Sequence, residues 1–202
     1  MFNFIPFFLL QNNYKLKYLI VGLGNIGLEY ANTRHNIGFV VADALSNDLK
    51  GSFSVERLAS YSKVKYKGRT LVIIKPTTYM NLSGKSVKYW MEQEKIPVER
   101  ILVVLDDIAL PHGTLRMKAR GGDAGHNGLT DIIMKLDTDV FPRLRIGIGN
   151  DFPRGYQADY VLGQWSRSEE KLMIPRVEMA VDAIKSFVTL GIDRTMTAFN
   201  NK

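Results

Sequence analysis

The stretch that most restricts what this chain can fold into is Tyr18–Phe39, YLIVGLGNIGLEYANTRHNIGF, where a short apolar run breaks into three glycines and a row of polar side chains. Tyr18-Leu19-Ile20-Val21 is apolar and partly β-branched, as expected of a strand covered on both faces of an open sheet. Gly22, Gly24 and Gly27 let the backbone turn sharply and approach a ligand with no Cβ in the way. Asn25, Glu29, Tyr30, Asn32, Thr33, Arg34, His35 and Asn36 follow before apolar periodicity resumes at Ile37. Ligands of open α/β sheets bind beyond the carboxyl ends of the strands, so His35 is expected on that rim.

Gly22-x-Gly24-x-x-Gly27 also matches a dinucleotide-binding fingerprint, with Asp43 near the ribose-binding distance. That motif needs a helix starting inside the glycines, and Leu28–Asn36 has no helical stripe. Asp43 falls within the periodic run Ile37, Val40, Val41, Ala44, Leu45, which places it on a helix rather than at a strand tip. The glycines are therefore read as shaping a loop. No cofactor is expected, and a nucleotide-dependent oxidoreductase is disfavoured.

The same alternation of strand and helix continues down the chain. Residues 36–50 read as an amphipathic helix, and Tyr61–Lys67 with Thr70–Lys75 as a hairpin about Gly68-Arg69. Ser83 is a candidate cap for a helix bearing Val87, Trp90 and Met91 on one face. Arg100–Leu105 is a buried strand ending at Asp106-Asp107, Thr114–Ala119 a basic alternating strand, and Gly121–Gly128 a second glycine-rich loop before a helix over Leu129–Leu136. Pro142–Gly149 is another strand, and Asp159–Leu162 a strand or a loop. Ser166-x-x-Glu169 is a capping-box pattern opening a helix that Pro175 should kink or restart. The stripe from Val177 to Val188 then ends at Gly191. These elements predict an α/β fold: a single domain, residues 16–202, with a twisted mixed β-sheet flanked by helices on both faces.

The preceding segment, residues 1–15, is read as a disordered extension or the product of an upstream start codon. Its run MFNFIPFFLL is too short to span a bilayer and lacks the basic start and small-residue cleavage site of a signal peptide. No membrane partner is expected. The 27 Lys and Arg against 20 Asp and Glu give a net charge of +7, which favours a polyanionic partner. With no cysteine there is no thiolate nucleophile and no zinc-thiolate site, and three histidines without an HExxH pattern leave little to ligate a metal.

Three buried strands end in polar loops, at Asn25 to His35, Tyr79 to Asn81 and Asp106-Asp107, and the glycine-rich loop adds His126 and Asn127. Strands of like orientation would deliver them to one rim. The set suits acyl transfer to water. His35 can take a proton from water, and Asp106 can fix its tautomer and stabilise the imidazolium. Asn25, Asn81 and Asn127 can hold a substrate carbonyl and its oxyanion without adding titratable charge. No serine lies in a Gly-x-Ser-x-Gly elbow, so attack by activated water is preferred over an acyl-enzyme. Taken singly each residue has a structural alternative, since asparagine often closes a turn with its own backbone. Their joint occurrence favours chemistry.

The blocks GLGNIGLEYANTRHNIGF, KPTTYMNLSG, DDIALPHG, GGDAGHNGL and FPRLRIGIG together resemble the bacterial-type peptidyl-tRNA hydrolases, in the same order and over nearly the whole chain from Leu16. The resemblance implies a monomeric, cytoplasmic, single-domain hydrolase. Its substrate would be peptidyl-tRNA, cut at the ester between peptide and 3′ adenosine to recycle tRNA from aborted translation. It implies His35 as catalytic base, Asp106 as its carboxylate partner, and Asn25, Asn81 and Asn127 as substrate-binding amides, with Tyr30, Met80 and His126 lining the site. It gives the basic residues Arg116, Lys118, Arg120, Arg143 and Arg145 a role on tRNA phosphates. Ile26 replaces the family's usual proline, Ala109 a common aspartate, and Asp123 varies the glycine-rich loop. The alternative is a non-catalytic RNA-binding relative with the same fold.

Overall fold

A computed structural model describes residues 16–200; the expected extension over residues 1–15 lies outside them. Among the described residues, seven strands form one sheet: β1 (Lys17–Gly22), β2 (Ser54–Glu56), β3 (Ala59–Tyr66), β4 (Arg69–Pro76), β5 (Ile101–Asp107), β6 (Leu115–Lys118) and β7 (Arg143–Gly147). Their order is β2-β3-β4-β1-β5-β7-β6. The central four, β4, β1, β5 and β7, are parallel, and the edges are antiparallel through β3 and β6, which makes the sheet mixed.

Side chains of the central strands alternate between two cores. Ile20, Ile73, Leu102 and Val104 pack with α1 (Ile37–Asp48) and α5 (Arg167–Leu190), where Val41, Leu45, Ile184 and Phe187 meet them. Leu19, Val72, Val103 and Leu105 pack with α2 (Ser83–Glu94) and α3 (Asn127–Leu136) through Val87, Leu129 and Ile132. Every residue of β5 is buried, as its uninterrupted apolar run requires. Among the described residues two more α-helices follow, the short α4 (Gln157–Val161) and α6 (Ile192–Phe199).

Four expectations are corrected. Ser83 does not cap α2; it lies in the first turn, and its hydroxyl donates to the Met80 carbonyl at 2.8 Å. Asp159–Leu162 is neither strand nor loop, because α4 runs through it. Pro175 does not restart the helix: α5 runs on through it from Arg167 to Leu190, with the ring at an exposed position. The helix after the second glycine-rich loop starts two residues earlier, at Asn127.

Because β1, β4, β5 and β7 run the same way, their carboxyl ends share one rim. The chain leaves β1 into a glycine-rich loop and returns at α1, which is pressed against the strand ends. A Cβ on Gly38, in the first turn of α1, would lie well inside van der Waals contact of the backbone of Leu23 and Val104. Gly38→Ala is expected to destabilise the protein by about 1–3 kcal/mol or more through this overpacking. Gly122→Ala, whose Cβ meets nothing within 4 Å, should change stability by less than about 0.5 kcal/mol. Urea unfolding of the two variants checks the pair.

Candidate active site

The rim holds a cleft of about 610 Å³. On its floor, Asp106 is the penultimate residue of β5 and only 3% exposed. Its Oδ1 faces two imidazoles. His35 Nδ1 lies 2.8 Å away, from the 3-10 turn Arg34–Asn36 that leads into α1. His126 Nε2 lies 3.1 Å away, from the residue that caps α3. The two rings are 4.9 Å apart, centroid to centroid. Burial alone would raise the Asp106 carboxyl, but the facing histidines outweigh it and hold the group well below the usual carboxylate range.

The hydrogen-bond network assigns the tautomers. His126 Nδ1 accepts from the backbone N–H groups of Gly128 and Leu129, at 3.1 and 3.3 Å, and so carries no proton. Its proton is therefore on Nε2 and is donated to Asp106. His35 likewise donates Nδ1–H to Asp106, which leaves its Nε2 as the basic nitrogen.

The same three groups each place a ligand atom within 4.8 Å of the others, the spacing of a candidate metal centre. The α3 terminus opposes that use. A neutral imidazole bound to metal through Nε2 carries its proton on Nδ1, where it would face two N–H donors instead of being accepted.

The amides are set from two further loops. The Asn25 backbone N–H donates to Asn36 Oδ1 at 2.8 Å, and Asn36 Nδ2 donates back to the Asn25 carbonyl at 2.9 Å. Asn25 Oδ1 accepts the Met80 N–H at 2.9 Å, so the loops after β1 and β4 are joined and the remaining Nδ2 donor of Asn25 lies at the cleft. Met80 is buried, while Asn81 and Asn127 are exposed, and all three line the cleft with Tyr30. Asp123 braces the glycine-rich loop, taking the Gly125 N–H at 3.0 Å and the Thr130 hydroxyl at 2.9 Å.

The basic residues separate into different roles. The pairs Arg116↔Arg145 and Lys118↔Arg143 are directly opposed across β6 and β7, so all four side chains share one face of that ribbon. Arg143 is corrected as a phosphate contact: it is 1% exposed, and its guanidinium is spent on the carbonyls of Gly121, Gly122, Asp139 and Phe141. Arg145 is ion-paired with Asp107 at 2.5 Å and lines both the main cleft and a smaller one bounded by Lys118 and Arg143. Arg116, Lys118 and Arg120 are exposed.

The chain that carries this arrangement, a carboxylate-fixed histidine among amide donors beside a cationic ribbon, is similar to known proteins over nearly its whole length. The peptidyl-tRNA hydrolase family model matches residues 19–202. The chain belongs to the peptidyl-tRNA hydrolase family. It is 54% identical to a peptidyl-tRNA hydrolase of Cytophaga hutchinsonii and 55% identical to one of Phocaeicola vulgatus, each over 93% of this chain and 100% of the relative. The crystal structure of a peptidyl-tRNA hydrolase from Acinetobacter baumannii superposes with a TM-score of 0.87 at 34% identity, covering 91% of this chain and 94% of that one.

Sequence reasoning missed Asn36, whose side chain fixes the Asn25 backbone, and the whole contribution of α4. Gln157, Ala158, Val161 and Leu162 form one wall of the cleft. The segment carries neither a glycine-rich loop nor a charged cluster to mark it. The tautomer assignment yields a test: chelator treatment of the purified protein, followed by removal of the chelator, should leave turnover unchanged. A loss restored by one equivalent of a divalent ion would contradict the assignment.

Proposed function

We infer that the protein hydrolyses the ester between peptide and tRNA in peptidyl-tRNA, with His35 as general base. The observation that carries this is the His35 Nδ1 to Asp106 Oδ1 contact of 2.8 Å inside a cleft lined by Asn25, Asn81 and Asn127. His35 Nε2 takes a proton from water as the oxygen attacks the ester carbonyl carbon. The Asp106 carboxylate stabilises the imidazolium that forms. The carbonyl oxygen becomes an oxyanion, for which the asparagine amides supply donors. As the tetrahedral intermediate collapses, the imidazolium returns the proton to the departing ribose oxygen. The products are a free peptide carboxylate and tRNA with its terminal hydroxyl restored, which returns tRNA from aborted translation to use.

The cationic ribbon supports an RNA partner. Like charges opposed across two strands destabilise a sheet. Arg143 is offset by carbonyls and Arg145 by Asp107, whereas Arg116 and Lys118 have no acidic partner among the described residues. A phosphate seated between Lys118 and Arg145 would give Lys118 the anionic partner it lacks and share Arg145 with Asp107, while leaving the neighbouring cleft open to the ester. We place the protein in the cytoplasm, acting as a monomer. No helix among the described residues is long and apolar enough to cross a membrane.

Release of peptide from N-blocked aminoacyl-tRNA tests the reading. His35→Ala and Asp106→Asn should each lower kcat by about 10²–10⁴ while tRNA binding persists. Binding without release by the wild type would instead leave a non-catalytic RNA-binding protein. Lys118→Ala should weaken tRNA binding and reduce the slope of log affinity against log salt by about 1. An unchanged slope would remove Lys118 from the interface.

A further inference from the structure

The wall of the cleft formed by α4 has little to hold it in place by itself. Between Asn150 and Leu162, Val161 is the single buried residue, and a five-residue helix is marginal without external contacts. One residue ties it to the rest of the molecule at several points. Arg34 Nη1 donates to the Tyr160 carbonyl at 3.2 Å, and its guanidinium lies 4.6 Å from the centroid of the Tyr160 ring. Arg34 Nη2 donates to both carboxylate oxygens of Glu169 on α5, at 3.1 and 3.0 Å. The Arg34 backbone N–H donates to the Gly163 carbonyl at 3.0 Å, just past α4, and Thr33 bridges Gln164. Tyr160 adds a second tether, its hydroxyl donating to the Ile148 carbonyl at 2.5 Å.

Arg34 is also the residue before His35, in the same 3-10 turn. We propose that Arg34, braced by Glu169, is a positioning residue that fixes the α4 wall relative to the catalytic turn, and so sets how the substrate seats beside His35. The planar guanidinium suits this role, because its two terminal nitrogens are held in one rigid plane and donate to different partners at once, Nη2 to the Glu169 carboxylate and Nη1 to the Tyr160 carbonyl. Residues that α4 brings to the cleft are mostly apolar: Ala158, Val161 and Leu162 beside Gln157. They bear on binding rather than proton transfer, so loosening the clamp should appear in KM and not in kcat. The KM part of this proposal rests on the hydrolase reading above.

Glu169→Gln is the cleanest variant. Glu169 also closes the capping box of α5, its Oε2 accepting the Ser166 N–H at 2.7 Å, and glutamine preserves that box while removing the charge opposite Arg34. Arg34→Lys keeps the charge and removes the fork. Both variants should raise KM for N-acetyl-aminoacyl-tRNA several-fold with kcat within about twofold. Arg154, exposed in the segment leading into α4, gives an activity-independent readout. Limited trypsinolysis followed by mass spectrometry should show cleavage after Arg154 several-fold faster in both variants. Unchanged KM and unchanged Arg154 cleavage in variants with wild-type circular dichroism would overturn the proposal. So would a fall in kcat that tracks a lowered Tm at constant KM, since that marks a purely structural contact. If the wild type shows no turnover, the hydrolase reading fails, and the Arg154 cleavage rates still decide whether the clamp exists.

Discussion

One oxygen atom, Asp106 Oδ1, organises the site. It accepts from His35, in the turn that leads into α1, and from His126, the cap of α3, so the elements on the two sides of the sheet meet at the end of β5. A carboxylate this buried is costly unless it is paired and hydrogen-bonded, and the two imidazoles meet that need. The α3 terminus completes the arrangement. Its first N–H groups bind His126 Nδ1, which forces the proton to Nε2 and makes His126 a donor to Asp106 rather than a second base. One histidine is thereby made structural and the other left with a free basic nitrogen.

The sequence exposed this site to the extent that its residues follow buried strands. The apolar runs of β1, β4 and β5 each pass directly into polar loops, and parallel strands have no choice but to send those loops to one rim. His35, Asp106 and the asparagines could be read this way. The role of His126 could not, because it depends on which nitrogen faces which donor. Nor could the fate of the basic residues: strand period alone says that Arg143 and Arg145 share a face, but only the register against β6 adds Arg116 and Lys118 to it. Arg143 looked like its neighbours in sequence. It turned inward because the carbonyls of the glycine-rich loop, bare of side chains at Gly121 and Gly122, present acceptors that a guanidinium can satisfy together. The α4 wall was hidden for a different reason: five residues with one buried position give no periodicity long enough to recognise.

The two carboxylates at the end of β5 serve different partners. Asp106 serves the histidines, and the adjacent Asp107 holds Arg145 at the boundary of the two clefts. Consecutive carboxylates on a strand point to opposite faces, so one β-strand end holds both the two histidines and the Arg145 guanidinium. The spacing between the Asp106–histidine cluster and Arg145 is thus set by the pairing of β5 with β7, in which Leu105 lies opposite Arg145.

The central claim, that Asp106 holds the two histidines in opposite tautomers, is open to direct measurement by long-range ¹H–¹⁵N NMR of the imidazole rings, taken at a pH where both are neutral. His35 should carry its proton on Nδ1, and His126 on Nε2. Finding His126 protonated on Nδ1, or His35 on Nε2, would contradict the account, because the first would break the α3 cap and the second would leave no basic nitrogen facing the cleft.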